Sequence, residues 1–155
     1  NNTITFTTLS DGTYSNCSLY VTSSTGVKGN TLSVTPFIVD TTAPSVNSFI
    51  LSDTALKAGD TAVVYLVFSE AVASFSSAAD ITVANGTLAT MTSADNITWA
   101  GTFTPTANTE DTSNTLYLDT SYTDTAGNTG PAATTLNYAV ETIDPSVSYS
   151  PLSAT

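Results

Sequence analysis

Residues 26–46 read G-V-K-G-N-T-L-S-V-T-P-F-I-V-D-T-T-A-P-S-V, and residues 127–147 read G-N-T-G-P-A-A-T-T-L-N-Y-A-V-E-T-I-D-P-S-V. An offset of 101 carries the first stretch onto the second without a gap. It pairs Gly26 with Gly127, Phe37 with Tyr138, Val39 with Val140, Asp40 with Glu141 and Pro44 with Pro145. A period of 101 residues suits one β-sandwich domain and is too long for a solenoid turn. The stretch therefore reads as an excerpt of a tandem array. Residues 1–43 are the C-terminal half of one module, 44–144 a complete module, and 145–155 the start of a third. The two end pieces leave the equivalents of 55–101 uncovered, so pooling them between copies builds no full module. A longer parent protein is the expectation.

Working outward from the repeat, the composition selects strands. Serine and threonine make up 52 of 155 residues, whereas Glu, Lys and Arg total five, which leaves few good helix formers. Thr61–Phe68 (T-A-V-V-Y-L-V-F) is the most apolar run and reads as a central strand. Val46–Leu51, Ala71–Phe75, Ile81–Ala84, Thr115–Tyr122 and Thr134–Val140 read as further strands. Asn85-Gly86 is a tight-turn signal that predicts a hairpin into Thr87–Thr92. The segment from Ile97 to Phe103 alternates, with Ile97, Trp99, Gly101 and Phe103 on one face. Trp99 and the aromatic residues Tyr65, Phe68, Phe75, Phe103 and Tyr117 are expected in the core. Seven or eight short strands with frequent turns predict an all-β, immunoglobulin-like antiparallel sandwich. Pro44 in the Asp40–Pro44 linker supplies no backbone donor and pins the chain extended, making a semi-rigid hinge.

Ten Asp and three Glu face only Lys28 and Lys57, which argues against nucleic acid and anionic membrane surfaces as partners. No run of 18 apolar residues and no signal pattern occurs, so the stretch is expected to be soluble and to carry no address of its own. The absence of His removes Ser-His-Asp and Cys-His machinery and the commonest zinc ligand. A carboxylate pair is the remaining catalytic route, but Glu110-Asp111 sit among Thr, Asn and Ser and read as solvated loop acids or metal ligands. The expectation is no enzyme. Cys17 is alone and reads as a small buried hydrophobe, with an intermolecular disulfide as the alternative. Lys57 beside Ala58-Gly59-Asp60 sits at a surface turn, which does not suit an isopeptide crosslink.

Phe68-Ser69-Glu70-Ala71-Val72, Phe75, Asp80-Ile81-Thr82-Val83 and Asn85-Gly86-Thr87-Leu88, in that order and spacing, resemble the bacterial Ig-like repeats of very large surface adhesins. So do Phe103-Thr104-Pro105, Tyr122-Thr123-Asp124 with Ala126-Gly127-Asn128, and the linker ending at Pro44. The resemblance implies an extracellular or cell-surface extender module that holds a binding domain away from the cell. Its partners would be neighbouring modules or other copies in a fibre. It also implies calcium at loops and junctions. Calcium takes about six to eight oxygens, and the candidates are Asp53, Glu70, Glu110, Asp111, Asp124 and Asn128, with Asp40 and Asp144 at the two linkers. The partial module departs from the pattern, since the offset places Ser23 opposite Asp124, Leu9 opposite Glu110 and Ser10 opposite Asp111. Four N-glycosylation sequons begin at Asn1, Asn16, Asn85 and Asn96. The alternatives are a subunit of a glycosylated appendage filament and a glycan- or ligand-binding module with its specificity in loops.

Overall fold

The computed structural model describes residues 8–149, and the chain divides into two compact units, Asn1–Ala43 and Pro44–Thr155. The first unit holds four short strands: β1 (Gly12–Tyr14), β2 (Ser18–Leu19), β3 (Leu32–Ser33) and β4 (Phe37–Val39). β1 pairs antiparallel with β4, and β2 with β3. Tyr14 stacks on Phe37 across the first pair, with ring centroids 5.3 Å apart. None of the described residues of this unit is fully buried.

The second unit runs β5 (Val46–Leu51), β6 (Ala55–Lys57), β7 (Ala62–Phe68), a single turn of helix α1 (Ser77–Asp80), β8 (Ile81–Thr82), β9 (Gly86–Leu88) and β10 (Thr98–Pro105). It continues through β11 (Glu110–Asn114), β12 (Tyr117–Leu118), β13 (Ala133–Thr134) and β14 (Tyr138–Glu141). One layer is the sheet β5–β7–β10–β9. The rest is two smaller sheets, β11–β14–β6 and β13–β12–β8. All pairings are antiparallel except β6 with β14, which is parallel.

β7 sits at the centre because its sequence alternates: Ala62, Val64, Leu66 and Phe68 point inward and are buried, while Tyr65 faces solvent. Phe49 and Leu51 from β5 and Phe103 from β10 join them. Leu56, Leu116, Leu118, Tyr122, Tyr138 and Val140 close the same core from the other side. Phe68 meets Tyr122 at 4.9 Å and Phe103 meets Tyr138 at 5.2 Å between ring centroids. This is the predicted all-β sandwich.

Several local expectations are corrected. Ala71–Phe75 contributes only an isolated bridge, Val72 to Asp124, before the chain bends into α1. Asn85-Gly86 does not close a hairpin: β8 pairs with β12, whereas β9 pairs with β10, so the dipeptide carries the chain from one layer to the other. Asn85 has a positive φ of 48°, and its amide donates to Asp111 and Asn114 across the crossing. Thr134–Val140 breaks into β13 and β14 around an exposed Leu136. Thr115–Tyr122 keeps only β12. Tyr65 and Tyr117 lie on outward faces at 40% and 43% exposure, and Trp99 is half-buried rather than central. The indole N–H of Trp99 is buried with no hydrogen-bond partner. β6 and β11 carry no strand signal in the sequence, since three residues of mixed polarity and a run of acids and hydroxyls have no strand periodicity.

Candidate functional site

Asp124 is the most fully organised carboxylate of the second unit. It follows Tyr122, whose ring is locked against Phe68 and Phe75, so the chain enters the loop from a rigid position. Gly127 adopts φ of +95°, which only glycine accepts without strain, and turns the chain back. The Asp124 Oδ1 then accepts from the backbone N–H of Ala126, Gly127 and Asn128 at 2.8, 2.7 and 2.9 Å. Its Oδ2 accepts from the Asn128 side-chain amide at 2.8 Å. Burial pushes this carboxyl up, but the Asn128 amide and those three N–H groups outweigh it and hold it below its usual range.

Glu70 leaves the end of β7 and is half-buried, with a carboxylate oxygen within 4.8 Å of one on Asp124. Two like charges at that separation repel, and a cation between them reverses the sign. The donors are hard oxygens of the kind calcium selects. Most of Asp124's acceptor capacity already serves its own loop, so backbone carbonyls or water would have to complete the coordination.

Four of the other predicted ligands do not join this pair. Asp53, Glu110, Asp111 and Asp144 belong to no group of three ligating side chains among the described residues. Asp53 is exposed and accepts from the Ala55 N–H at 3.0 Å, closing the turn into β6. Glu110 stands opposite Glu141 in the β11–β14 ladder, and with Asp144 they line a hollow of about 470 Å³. Asp111 accepts from Asn85 at 2.8 Å and from the Ser113 N–H at 2.9 Å. Asp40 follows β4 in the first unit and accepts from the Thr42 N–H at 3.1 Å.

The sequons also separate. Asn1 lies outside the described residues, and Asn16 is exposed between β1 and β2. Asn85 is half-buried with its amide engaged, while Asn96 is exposed at a turn with φ of 57°. Sequence reasoning missed the buried Asp80 and its neighbour Asp119, which share hydrogen bonds with the Ser121 hydroxyl. Nothing in the spacing from 80 to 121 signals that meeting.

The loop of the first unit repeats that of the second in its main-chain bonds. Ser23 N–H donates to Val27 O at 2.9 Å, as Asp124 N–H donates to Asn128 O at 3.1 Å. Gly29 N–H donates to Val21 O at 2.8 Å, as Gly130 N–H donates to Tyr122 O at 3.3 Å. Bridges join Thr22 to Lys28 and Thr123 to Thr129, both at the offset of 101. Ser23 Oγ takes the role of the Asp124 carboxylate and accepts from the Val27 N–H at 3.1 Å, without the charge. Before the loop the register slips: the Val34 N–H bonds Cys17 O as the Thr135 N–H bonds Leu116 O, an offset of 99 on the acceptor side. The second unit thus holds two more residues between β12 and its loop than the first unit holds between β2 and its own.

No helix among the described residues is long and apolar enough to cross a membrane. No curated protein and no solved structure matches the chain. The family model described as "Bacterial Ig-like domain" matches residues 40–140, from the linker through most of β14. Domains of this family are typically non-catalytic and are generally found in extracellular and surface proteins. With its β-sandwich and a match over most of its length, the chain belongs to the bacterial Ig-like domain family.

Proposed function

We propose that the chain is a non-catalytic spacer from a large repetitive extracellular surface protein, an adhesin stalk or fibre, that supplies reach and stiffness. The observation that carries this reading is the recurrence of one loop architecture at the offset of 101, with the same main-chain bonds at Ser23–Val27 and Asp124–Asn128. A module repeated in one chain adds length with each copy. Of the surface hollows, those lined by Ala58–Thr61 with Thr104, by Glu110 with Glu141, and by Leu56 with Ala139 hold no aromatic ring. Their makeup favours a spacer over a glycan-binding module. Small-angle scattering on chains of one, two and four tandem copies of 44–144 tests it. The maximum dimension should grow in proportion to copy number; a collapsed or bead-like distribution overturns the reading.

Calcium enters this proposal at Glu70 and Asp124, where two carboxylates of the right donor type lie within 4.8 Å. Bound calcium would tie the end of β7 to the Asp124 loop and stiffen that end of the sandwich. Elemental analysis after dialysis, with melting in calcium and in EDTA, is the test. A ligand bound only by the folded state raises the midpoint. An unchanged midpoint with no retained metal removes calcium and leaves the spacer intact.

A further inference from the structure

We infer that Asn85-Gly86 is a latent self-modification site. The crossing between the two layers holds it shut, and opening β9 lets the Gly86 nitrogen displace the Asn85 side-chain amide as ammonia. The inference goes beyond the spacer reading and uses no part of it.

The dipeptide sets the chemistry. Asn85 is followed by glycine, whereas Asn96 and Asn108, which share its positive φ, are followed by Ile97 and Thr109. A β-branched side chain crowds the backbone nitrogen that has to attack, and glycine leaves it bare. In the reaction the Gly86 nitrogen bonds the Asn85 side-chain carbonyl carbon, and the bond from that carbon to the amide nitrogen breaks. The proton from the Gly86 nitrogen leaves with the amide as ammonia. Water then opens the cyclic imide at either carbonyl, giving an aspartate or an isoaspartate at position 85. No oxidant, reductant or cofactor takes part.

In the folded chain both reacting groups are pinned. The Asn85 amide donates to Asp111 Oδ2 at 2.8 Å and to Asn114 Oδ1 at 2.7 Å, both on β11. The Asn85 carbonyl, in the same peptide unit as the Gly86 nitrogen, accepts from the Thr106 N–H at 2.9 Å. One residue earlier, the Tyr138 hydroxyl donates to the Ala84 carbonyl. Gly86 itself lies against the Phe103 ring, where a Cβ would sit 2.1 Å away. The side chain therefore cannot turn back on its own backbone while the crossing is closed. The lock is local, since β9 is a three-residue strand at the edge of its sheet. Such elements open at less than the cost of global unfolding.

The product does not fit the closed crossing. A carboxylate at position 85 has no proton to donate and adds a like charge beside Asp111. Asn114 is 3% exposed and its amide already serves the Asp111 and Tyr138 carbonyls, so it cannot turn to supply a donor without losing them. The step is thus one-way: a module that has once opened and reacted closes less well afterwards.

The test incubates the 155-residue chain at mildly alkaline pH, folded and in urea, and maps its peptides by mass. The change from amide to acid should appear at Asn85 and spare Asn96 and Asn108. Its rate should be at least about tenfold lower in the folded chain than in urea. Once the urea is removed, the modified chain should unfold at a lower denaturant midpoint than untreated chain. Asn85→Asp should show the same loss or fail to fold. Equal rates in the two states remove the lock. No reaction in urea, or reaction first at Asn96 or Asn108, removes the site. A modified chain or an Asn85→Asp chain with the parent's midpoint removes the one-way step. Any of these results overturns the inference. Scattering from unmodified tandem copies is untouched by them, so the spacer reading stands or falls separately.

Discussion

At Gly86 a Cβ atom would sit 2.1 Å from the Phe103 ring and 2.8 Å from the Thr104 carbonyl oxygen. Phe103 is fully buried and the carbonyl belongs to a ladder strand, so neither yields cheaply. Gly86→Ala should cost about 1–3 kcal/mol in urea unfolding, the range for overpacking a closed core. Gly59→Ala adds a Cβ in open space at φ of +86° and should cost about 1 kcal/mol through backbone strain alone. Equal costs would show that the Gly86 contact relaxes freely. Tyr122 and Tyr138 give a second prediction at this scale. Burial pushes both phenols from 10.0 up to about 12. A folded-state pKa raised above the unfolded value contributes stability that is complete below 10.0 and is lost as pH rises through about 12. Alkaline unfolding should therefore set in between those values and should move toward neutrality in neither Tyr65→Phe nor Tyr117→Phe. Tyrosinate absorbance that rises in one step near 10, with no lag for the buried pair, would contradict it.

At the level of elements, inward and outward positions on β5, β7 and β10 should differ sharply in what they contribute. Phe103→Ala empties a fully buried site and should cost about 3–5 kcal/mol, whereas Ile50→Ala on the open face should stay within about 1 kcal/mol. Similar losses at both positions, measured by chemical unfolding, would mean that the outer face of this sheet is covered in solution. These strands were also the legible ones. β5 and β7 announced themselves by unbroken apolar or alternating runs, and Phe68 and Phe103 followed as core. What the sequence concealed was set by long-range pairing. β6 is held by a parallel ladder to β14, over 80 residues away, and nothing in Ala55–Lys57 encodes it. Asn85-Gly86 misled for a definite reason: the αL conformation that suits a tight turn also suits a crossing between layers, and the Asn114 and Asp111 side chains select the second. The candidate site was half legible. Asp124 and Asn128 are adjacent in one loop and could be picked together, but the approach of Glu70 comes from the fold.

At the scale of the whole molecule, charge is the dominant unspent quantity. The net charge is −11, and both lysines are engaged: Lys57 with Asp60 at 3.1 Å, Lys28 over the Tyr20 ring at 4.2 Å. Diffuse self-repulsion and a local cation site predict different salt responses. Monovalent salt shortens the screening length from about 30 Å at 0.01 M to about 8 Å at 0.15 M, so the melting temperature should climb over that range and then level off. Millimolar calcium hardly alters the ionic strength of the 0.15 M solution, so any further rise there reports binding rather than screening. Glu70→Gln separates the two effects. It removes one of thirteen acids, so the sodium chloride response should survive almost unchanged, while the calcium increment should disappear. Asp124→Asn is the less informative change, because Oδ1 also secures three backbone N–H groups and its loss loosens the loop directly. Should Glu70→Gln keep the full calcium increment in a differential scan, the cation is bound elsewhere or only diffusely, and the stiffness of the module has to come from its packed sheets and the Pro44 linker.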